Sequence, residues 1–213
     1  MLPGWVLATV AGVGAAHLWA YFGGRAGLAG TLKALPILLL AGTVLAVAPD
    51  GSAYARLVAL GLVCSAVGDV CLVSHARFVP GLASFLVGHV CYLAAFAAAG
   101  PGIEPQLGWL AGLAVVAAVL LAILWPHLEG RLRPPVAVYV AVIAAMAWTA
   151  VSRAGTPGIP PASGAAAAIG ALLFMGSDTL LALNRFVRPL PAAHGWVMVT
   201  YYAAQTCIAS SAA

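Results

Sequence analysis

Charge is what this 213-residue sequence has least of. Only 7% of its residues are charged and 64% are hydrophobic, and the mean hydropathy is +1.08. About a quarter of the residues in an ordinary soluble domain are charged, so a water-soluble globular fold is excluded. The apolar runs are continuous rather than alternating, which excludes a transmembrane barrel. They predict membrane helices, which satisfy their backbone hydrogen bonds internally.

Motifs for common catalytic chemistry are also missing. The sequence contains no GxSxG nucleophile turn, no HExxH zinc motif and no phosphate-binding P-loop. The four cysteines, at positions 64, 71, 91 and 207, form no CxxC pair and all fall within apolar runs. We expect them to be packing residues rather than disulfide partners or metal ligands. No dense basic run is present, so we expect no nucleic-acid partner.

Eight apolar segments are long enough for a helix to cross a bilayer, which takes about 20 residues. The sequence therefore predicts an all-α, polytopic transmembrane bundle that forms one membrane domain over residues 1–213. Gly and Pro clusters mark the turns, among them Pro49-Asp50-Gly51, Pro80 and Pro101-Gly102. The first segment lacks the positive n-region of a signal peptide, so we interpret it as a retained helix. The predicted spans are Gly4–Phe22, Thr31–Ala48, Ala55–Val73, Gly81–Ala99, Leu107–Trp125, Pro135–Val151, Ala162–Leu183 and Ala193–Ser211.

Lysine and arginine are distributed unevenly among the predicted loops. The loops after the second, fourth and sixth spans carry only Arg56 and Arg153. Because basic loops remain in the cytoplasm, both termini are predicted to face outward. The alanine-rich composition is typical of bacterial chains, so we expect the bacterial inner membrane. The other seven basic residues follow the first, third, fifth and seventh spans: Arg25, Lys33, Arg77, Arg131, Arg133, Arg185 and Arg188.

Part of the sequence repeats at a fixed offset of 109 residues. This offset relates Asp69 to Asp178 and Tyr92 to Tyr201. Two interpretations stay open. The chain is either a duplicated four-helix unit, with halves at about 1–106 and 107–213, or the matches arise by chance in a sequence rich in alanine and leucine.

A few strongly polar side chains fall inside the predicted spans, where a charge is costly and is usually functional. The predicted orientation uses none of the six, yet it places all of them in the cytoplasmic half of the membrane. We therefore expect one shared polar cavity, with Lys33 at its mouth. The six residues are Asp69, His89, Tyr92, Asp178, Tyr201 and Gln205.

Two carboxyl groups in one cavity of low dielectric can divide the roles of general acid and general base. Such a pair suits acid-catalysed cleavage of C–O bonds. A structural role is the alternative for each aspartate, as an ion-pair partner of Lys33 or Arg185. One histidine and two aspartates are few ligands for a metal ion, so we expect neither a metal nor a cofactor.

Several motifs occur together in one order along the chain. They are Gly68-Asp69, Phe-Leu-x-Gly-His-x-x-Tyr from Phe85 to Tyr92, Ser-Asp-x-x-Leu-Ala from Ser177, and Tyr-Tyr-x-Ala-Gln from Tyr201 to Gln205. Together they resemble the YhhN-like family of integral membrane proteins, which includes the lysoplasmalogenases. Tyr139 and Met146 also fit the pattern. The family often has a basic residue directly before a proline on the second span, whereas here Lys33 stands three residues before Pro36.

The resemblance implies hydrolysis of the vinyl ether bond of lysoplasmalogens to a fatty aldehyde and a glycerophospho-base. A lysophospholipid substrate and membrane lipid are then the expected partners. Three alternatives remain: a transporter that uses the same aspartate pair, a membrane scaffold, and a hydrolase of another ether or ester lipid. The hypothesis has catalytic residues Asp69, Asp178, His89 and Tyr201, and substrate-binding residues Lys33, Tyr92, Ser177, Arg185 and Gln205.

Overall fold

The computed structural model describes residues 2–49, 52–98 and 105–213, and these segments contain helices and turns but no strand. Of the predicted turn Pro49-Asp50-Gly51 the structure describes Pro49 alone, and the predicted turn at Pro101-Gly102 lies outside the described residues. A π-helical turn, Leu183–Val187, extends the eighth helix. Within the described residues the α-helices are α1 Gly4–Phe22, α2 Ala26–Lys33, α3 Leu35–Val47, α4 Ala53–Cys71, α5 Phe78–Ala98, α6 Leu107–Leu124, α7 Arg133–Ala154, α8 Pro161–Ala182 and α9 Ala193–Ser211.

Seven stretches of the described chain are long and apolar enough to cross a membrane, which confirms the all-α polytopic prediction. The predicted eighth span, α9, has 19 residues and is therefore about 28 Å long, but it is too polar to count by composition. Its polar side chains, among them Tyr201 and Gln205, are buried against other helices. The seven stretches are Gly4–Phe22, Ala26–Val47, Ala53–Cys71, Phe78–Ala98, Leu107–His127, Gly130–Ala154 and Pro161–Val187.

The second span is broken where the sequence predicted one helix from Thr31 to Ala48. It begins at Ala26, stops at Lys33, and resumes as α3 with Pro36 in its first turn. Proline has no N–H to donate and interrupts a helix that runs into it from the N-terminal side. At the break, the Lys33 carbonyl oxygen accepts a hydrogen bond from the Tyr202 hydroxyl, 3.0 Å away. The Lys33 side chain consequently projects from a helix end rather than from a helix middle.

Pro80 does not separate two elements, contrary to the prediction. It lies in the first turn of α5, which begins at Phe78 rather than at Gly81. The first-turn N–H groups of a helix have no partner within the helix, so proline costs no hydrogen bond there. The four cysteines are free thiols.

Close helix pairs build the core. α4 packs against α5, and α8 packs against α9. Glycine allows each approach: a Cβ atom at Gly61 would come within 2.3 Å of the Tyr92 ring, and one at Gly170 within 2.9 Å of the Ala204 carbonyl oxygen. These pairs bring α4, α5, α8 and α9 around one interior, in which Phe174 is fully buried.

α6 is the most peripheral helix of the bundle. It packs mainly against α7, and Leu113 and Leu124 are its buried residues. Its other side chains are wholly or partly exposed, which suits contact with lipid. Helix packing is therefore least extensive on the side of the bundle next to α6.

Candidate active site

A polar cavity of about 420 Å³ lies among α1, α2, α4, α5, α8 and α9. It is found at the end of the bundle where α1, α4 and α8 end, which we call the basic end because Arg25, Arg77 and Arg185 lie there. The predicted site residues that line the cavity are Lys33, Asp69, Ser177, Asp178, Arg185 and Tyr201. The structure thus brings six of the nine predicted residues to one cavity, including both aspartates.

Asp69 is almost completely buried, with 1% of its surface exposed, and each of its oxygens has one partner. Lys33 Nζ lies 3.2 Å from Oδ1, and the Tyr201 hydroxyl donates a hydrogen bond to Oδ2 at 2.7 Å. Lys33 is thus one of the two ion-pair partners considered for the aspartates, and whether Asp69 has a structural or a catalytic role stays a prediction. The ammonium group and the phenol both favour the ionised form of this buried carboxylate.

Asp178, on the last turns of α8, has a different environment. Its Oδ2 accepts a hydrogen bond from the Tyr139 hydroxyl on α7. Among the described residues, Oδ1 has no hydrogen-bond partner. Arg185 does not pair with Asp178, because its guanidinium group lies over the Phe78 ring, 4.9 Å from the ring centre. Asp178 is therefore free of any Lys or Arg partner in the described part of the chain.

His89 stands behind Asp178. Its Nε2 atom is 3.7 Å from Asp178 Oδ2, which is beyond hydrogen-bonding distance. This nitrogen is buried without a hydrogen-bond partner among the described residues. The rings of Tyr139 and Phe174 pack edge-to-face against the imidazole and hold its plane. His89 is thus a neighbour of Asp178 and does not line the polar cavity itself.

Three predicted residues lie outside the cavity wall. His89 is one. Tyr92 and Gln205 are the others, joined by a 2.7 Å hydrogen bond from the Tyr92 hydroxyl to Gln205 Oε1. Both are fully buried. Ser177 lines the cavity, but its hydroxyl is used by the Val197 carbonyl oxygen, 2.9 Å away, and ties α8 to α9. The substrate-binding roles of Tyr92, Gln205 and Ser177 stay predictions.

Several functional candidates were missed from the sequence. Tyr139 fits the family pattern, but nothing in its spacing relates it to Asp178. His17 and His194 line the polar cavity with their Nε2 atoms 3.0 Å apart. The feature of the sequence that could have identified them is that each is a histidine within or beside an apolar span. Among the described residues, no three His, Cys, Asp or Glu side chains lie together as a metal site would require.

A second, smaller cavity of about 50 Å³ opens between α5, α6, α7 and α8. Its lining is almost entirely apolar, and Leu120, Val140 and Ile143 are typical of it. Four residues, Phe78, Asp178, Leu181 and Arg185, line both this cavity and the polar one. Asp178 therefore lies at the boundary between a polar cavity and an apolar one, on the side of the bundle next to α6.

The fold and the cavity define the class: a polytopic α-helical integral membrane protein with a carboxyl-lined cavity buried at one end of its bundle. The chain belongs to the YhhN family, whose profile matches residues 28–212, and the predicted family is thereby confirmed. It is 41% identical to human lysoplasmalogenase TMEM86B over 185 residues, which cover 86% of this chain and 75% of that protein.

Other relatives carry the same enzyme name. The chain is 40% identical to bovine lysoplasmalogenase TMEM86A over 158 residues, covering 72% of this chain and 63% of that protein. It is 34% identical to a lysoplasmalogenase of Mycobacterium tuberculosis over 171 residues, covering 77% of this chain and 62% of that protein. No solved structure matches the chain.

Proposed function

We propose that this protein hydrolyses the vinyl ether bond of lysoplasmalogens, releasing a fatty aldehyde and a glycerophospho-base. The observation that carries the proposal is the position of Asp178 between a polar and an apolar cavity. A lysoplasmalogen changes from polar to apolar at the bond to be cleaved. With its headgroup in the polar cavity and its chain entering the apolar one, that bond lies beside Asp178. The relatives named lysoplasmalogenase support the same substrate.

The apolar cavity is too small for a whole fatty chain. Its volume of about 50 Å³ holds only the carbons nearest to the ether oxygen. The remainder of the fatty chain lies on the outer surface of the bundle beside α6, a helix that is exposed and faces lipid. The substrate thus enters, and the aldehyde leaves, sideways through the membrane without crossing water.

The two aspartates take different roles in this mechanism. Asp178, which has no Lys or Arg partner in the described residues, is the general acid. Asp69, already ion-paired with Lys33, stays ionised and holds the attacking water. Because the Tyr139 hydroxyl donates to Asp178 Oδ2, the acidic proton is on Oδ1.

The reaction then proceeds in three steps. Oδ1 of Asp178 delivers its proton to the β carbon of the vinyl ether, leaving a positive charge shared by the α carbon and the ether oxygen. Water adds to the α carbon and returns a proton to Asp178, which forms a hemiacetal. The bond from the α carbon to the glycerol oxygen breaks as the hydroxyl group of the hemiacetal becomes the aldehyde carbonyl. The proton of that hydroxyl group is transferred to the glycerol oxygen, and the aldehyde leaves. While Asp178 is ionised, the His89 imidazole, whose Nε2 atom lies 3.7 Å from Oδ2, is the neighbouring group that can relay a proton to it.

The decisive experiment measures aldehyde release from a lysoplasmalogen by purified protein. We expect Asp178→Asn to remove all measurable turnover, because asparagine has no proton to donate, and Asp69→Asn to lower it severely. Glu129→Gln is the matched control, since Glu129 is exposed and pairs only with Arg131. Full activity in both aspartate variants contradicts the mechanism. A folded but inactive wild type contradicts the substrate and directs the search to other ether or ester lipids.

Transport by the same aspartate pair is the second candidate. The observation in its favour is that α4 packs on α5 as α8 packs on α9, an arrangement seen in transporters with repeated halves. Aldehyde release in detergent separates the two functions, because transport requires a sealed membrane. The duplication itself, with halves at about 1–106 and 107–213, stays a prediction.

A further inference from the structure

Two histidines of the polar cavity have no part in the mechanism proposed above. His17 belongs to α1 and is 1% exposed, whereas His194, at the start of α9, is half-buried. Their Nε2 atoms are 3.0 Å apart. His17 Nδ1 lies 2.9 Å from the Ala29 carbonyl oxygen, and the Tyr21 ring stacks on His194 with 3.5 Å between centres. The pair is thus held rigidly from two sides.

The hydrogen bonds define where the protons of this pair are. A carbonyl oxygen only accepts, so His17 Nδ1 carries a hydrogen. In the neutral pair, His194 Nε2–H then donates to His17 Nε2, and His194 Nδ1 is left without a hydrogen. This nitrogen has no hydrogen-bond partner among the described residues. An anion bound beside His194 Nδ1 can therefore draw one proton onto this nitrogen, and the pair then becomes a cation that points a donor away from His17.

Two buried hydroxyl groups on the cavity wall already donate to protein acceptors. The Tyr201 hydroxyl is bound to Asp69, and the Ser177 hydroxyl is bound to the Val197 carbonyl oxygen. Lys33 has three hydrogens, and one of them points to Asp69. Lys33 and His194 therefore retain hydrogens or lone pairs for a ligand. Arg185 and Asn184 also line the cavity, but Arg185 is exposed and its guanidinium group lies over the Phe78 ring.

We propose that His17, His194 and Lys33 form a site for the phosphate group of the substrate's headgroup. This proposal rests on the proposed function, which supplies the phosphate as part of a lysoplasmalogen. With the fatty chain in the apolar cavity beside Asp178, the headgroup lies toward α1, α2 and α9. Ammonium and imidazolium donors bind a phosphate oxygen strongly and repel an amine. The ethanolamine or choline group consequently points out of the cavity, so the enzyme discriminates little between these two bases.

The test compares two substrates in a single variant. His194→Gln removes the group that takes up the proton, and His127→Gln is its control, because His127 is exposed and bonds only to the Ile123 carbonyl oxygen of its own helix. We expect His194→Gln to raise the KM for a lysoplasmalogen by about tenfold, the loss of one charge-assisted hydrogen bond, with little change in kcat. The KM for an alkenylglycerol, which lacks the phosphate, should not change. Equal effects on both substrates, or none on either, overturn the proposal.

A binding measurement separates this site from the catalytic proposal. Glycerophosphoethanolamine should raise the melting temperature of the wild type and of His127→Gln, but not that of His194→Gln. If the wild type releases no aldehyde and this pattern still appears, the site stands and the proposed reaction does not. Protection by inorganic phosphate that equals protection by glycerophosphoethanolamine assigns the site to free phosphate and overturns the headgroup assignment. If neither compound raises the melting temperature of the wild type, the proposed site is overturned.

Discussion

At the scale of single residues, the protein gives two aspartates opposite surroundings. Asp69 receives an ammonium group and a phenol, whereas Asp178 receives a phenol alone. Surroundings rather than residue type thus distinguish the two carboxyl groups. The sequence placed both aspartates in similar motifs, Gly68-Asp69 and Ser177-Asp178, and offered no means of telling them apart. Their partners come from α2, α7 and α9, far away along the chain.

Tyr139 is the residue that orients Asp178, and this gives a prediction. In Tyr139→Phe, Oδ2 of Asp178 loses its donor, so the proton is no longer restricted to Oδ1 and the ionised form loses a hydrogen bond. One hydrogen bond to a charged group is worth about 1.5–3 kcal/mol, so we expect kcat to fall by about 10- to 100-fold with little change in KM. Steady-state kinetics of aldehyde release measure both constants.

The control for Tyr139→Phe is Tyr54→Phe. Tyr54 also loses a buried hydroxyl that makes one hydrogen bond, here with Ser211 Oγ at 2.6 Å, but Tyr54 lies outside both cavities. Both variants should unfold at comparable temperatures. If Tyr54→Phe loses as much kcat as Tyr139→Phe, the effect is one of general stability and Tyr139 does not orient Asp178.

At the scale of helices, Pro36 decides where Lys33 can reach. The break between α2 and α3 turns Lys33 into a helix-end residue whose ammonium group meets Asp69 on α4. The departure of this sequence from the family pattern is thus compatible with an ion pair at Asp69.

The contact between α8 and α9 depends on Gly170. A Cβ atom there would lie 2.7 Å from the Ile208 side chain and 2.9 Å from the Ala204 carbonyl oxygen, and the backbone of α9 cannot yield to it without moving Tyr201. We expect Gly170→Ala to destabilise the protein by about 1–3 kcal/mol, as overpacking does. Thermal unfolding in detergent measures the change. Gly176→Ala, on the same helix with open space around it, should leave stability nearly unchanged, and equal losses would show that the α8–α9 contact is not the cause.

At the scale of the whole molecule, the basic end and the polar cavity coincide. Positive loops remain in the cytoplasm, so we expect the cavity to face the cytoplasm and both termini to face outward, in a bacterial inner membrane. A phosphate headgroup would then enter from the cytoplasmic side. The two halves of the bundle are not equivalent at the site: Tyr201 bonds to Asp69, whereas Tyr92 bonds to Gln205 rather than to Asp178.

Cysteine labelling tests this orientation. Gly130→Cys lies in the connection before α7, and Ala162→Cys lies at the start of α8, both at exposed positions. In intact cells, a membrane-impermeant maleimide should label Ala162→Cys and not Gly130→Cys, and inverted vesicles should give the reverse. The unsubstituted chain reports any background from its four native thiols. Labelling of Gly130→Cys in intact cells would reverse the assigned orientation and place the cavity outside.

The sequence by itself determined the class of protein, the approximate positions of the helices and six of the residues that line the polar cavity. Continuous apolar runs leave helices as the one arrangement that satisfies the backbone in lipid, and polar residues survive there mainly at a functional interior. The positions of Asp69, Asp178, Tyr201 and Lys33 followed from that rule. Family motifs then supplied the expected reaction.

Only the tertiary structure decided which groups meet. A hydrogen bond between residues more than 100 positions apart, such as that of Tyr201 with Asp69, depends on helix packing that no local pattern encodes. The same holds for Tyr139 with Asp178 and for His17 with His194, residues that spacing along the chain does not relate. The contrast between a paired and an unpaired aspartate, and the boundary at which the unpaired one lies, arise from the way α4, α7, α8 and α9 pack.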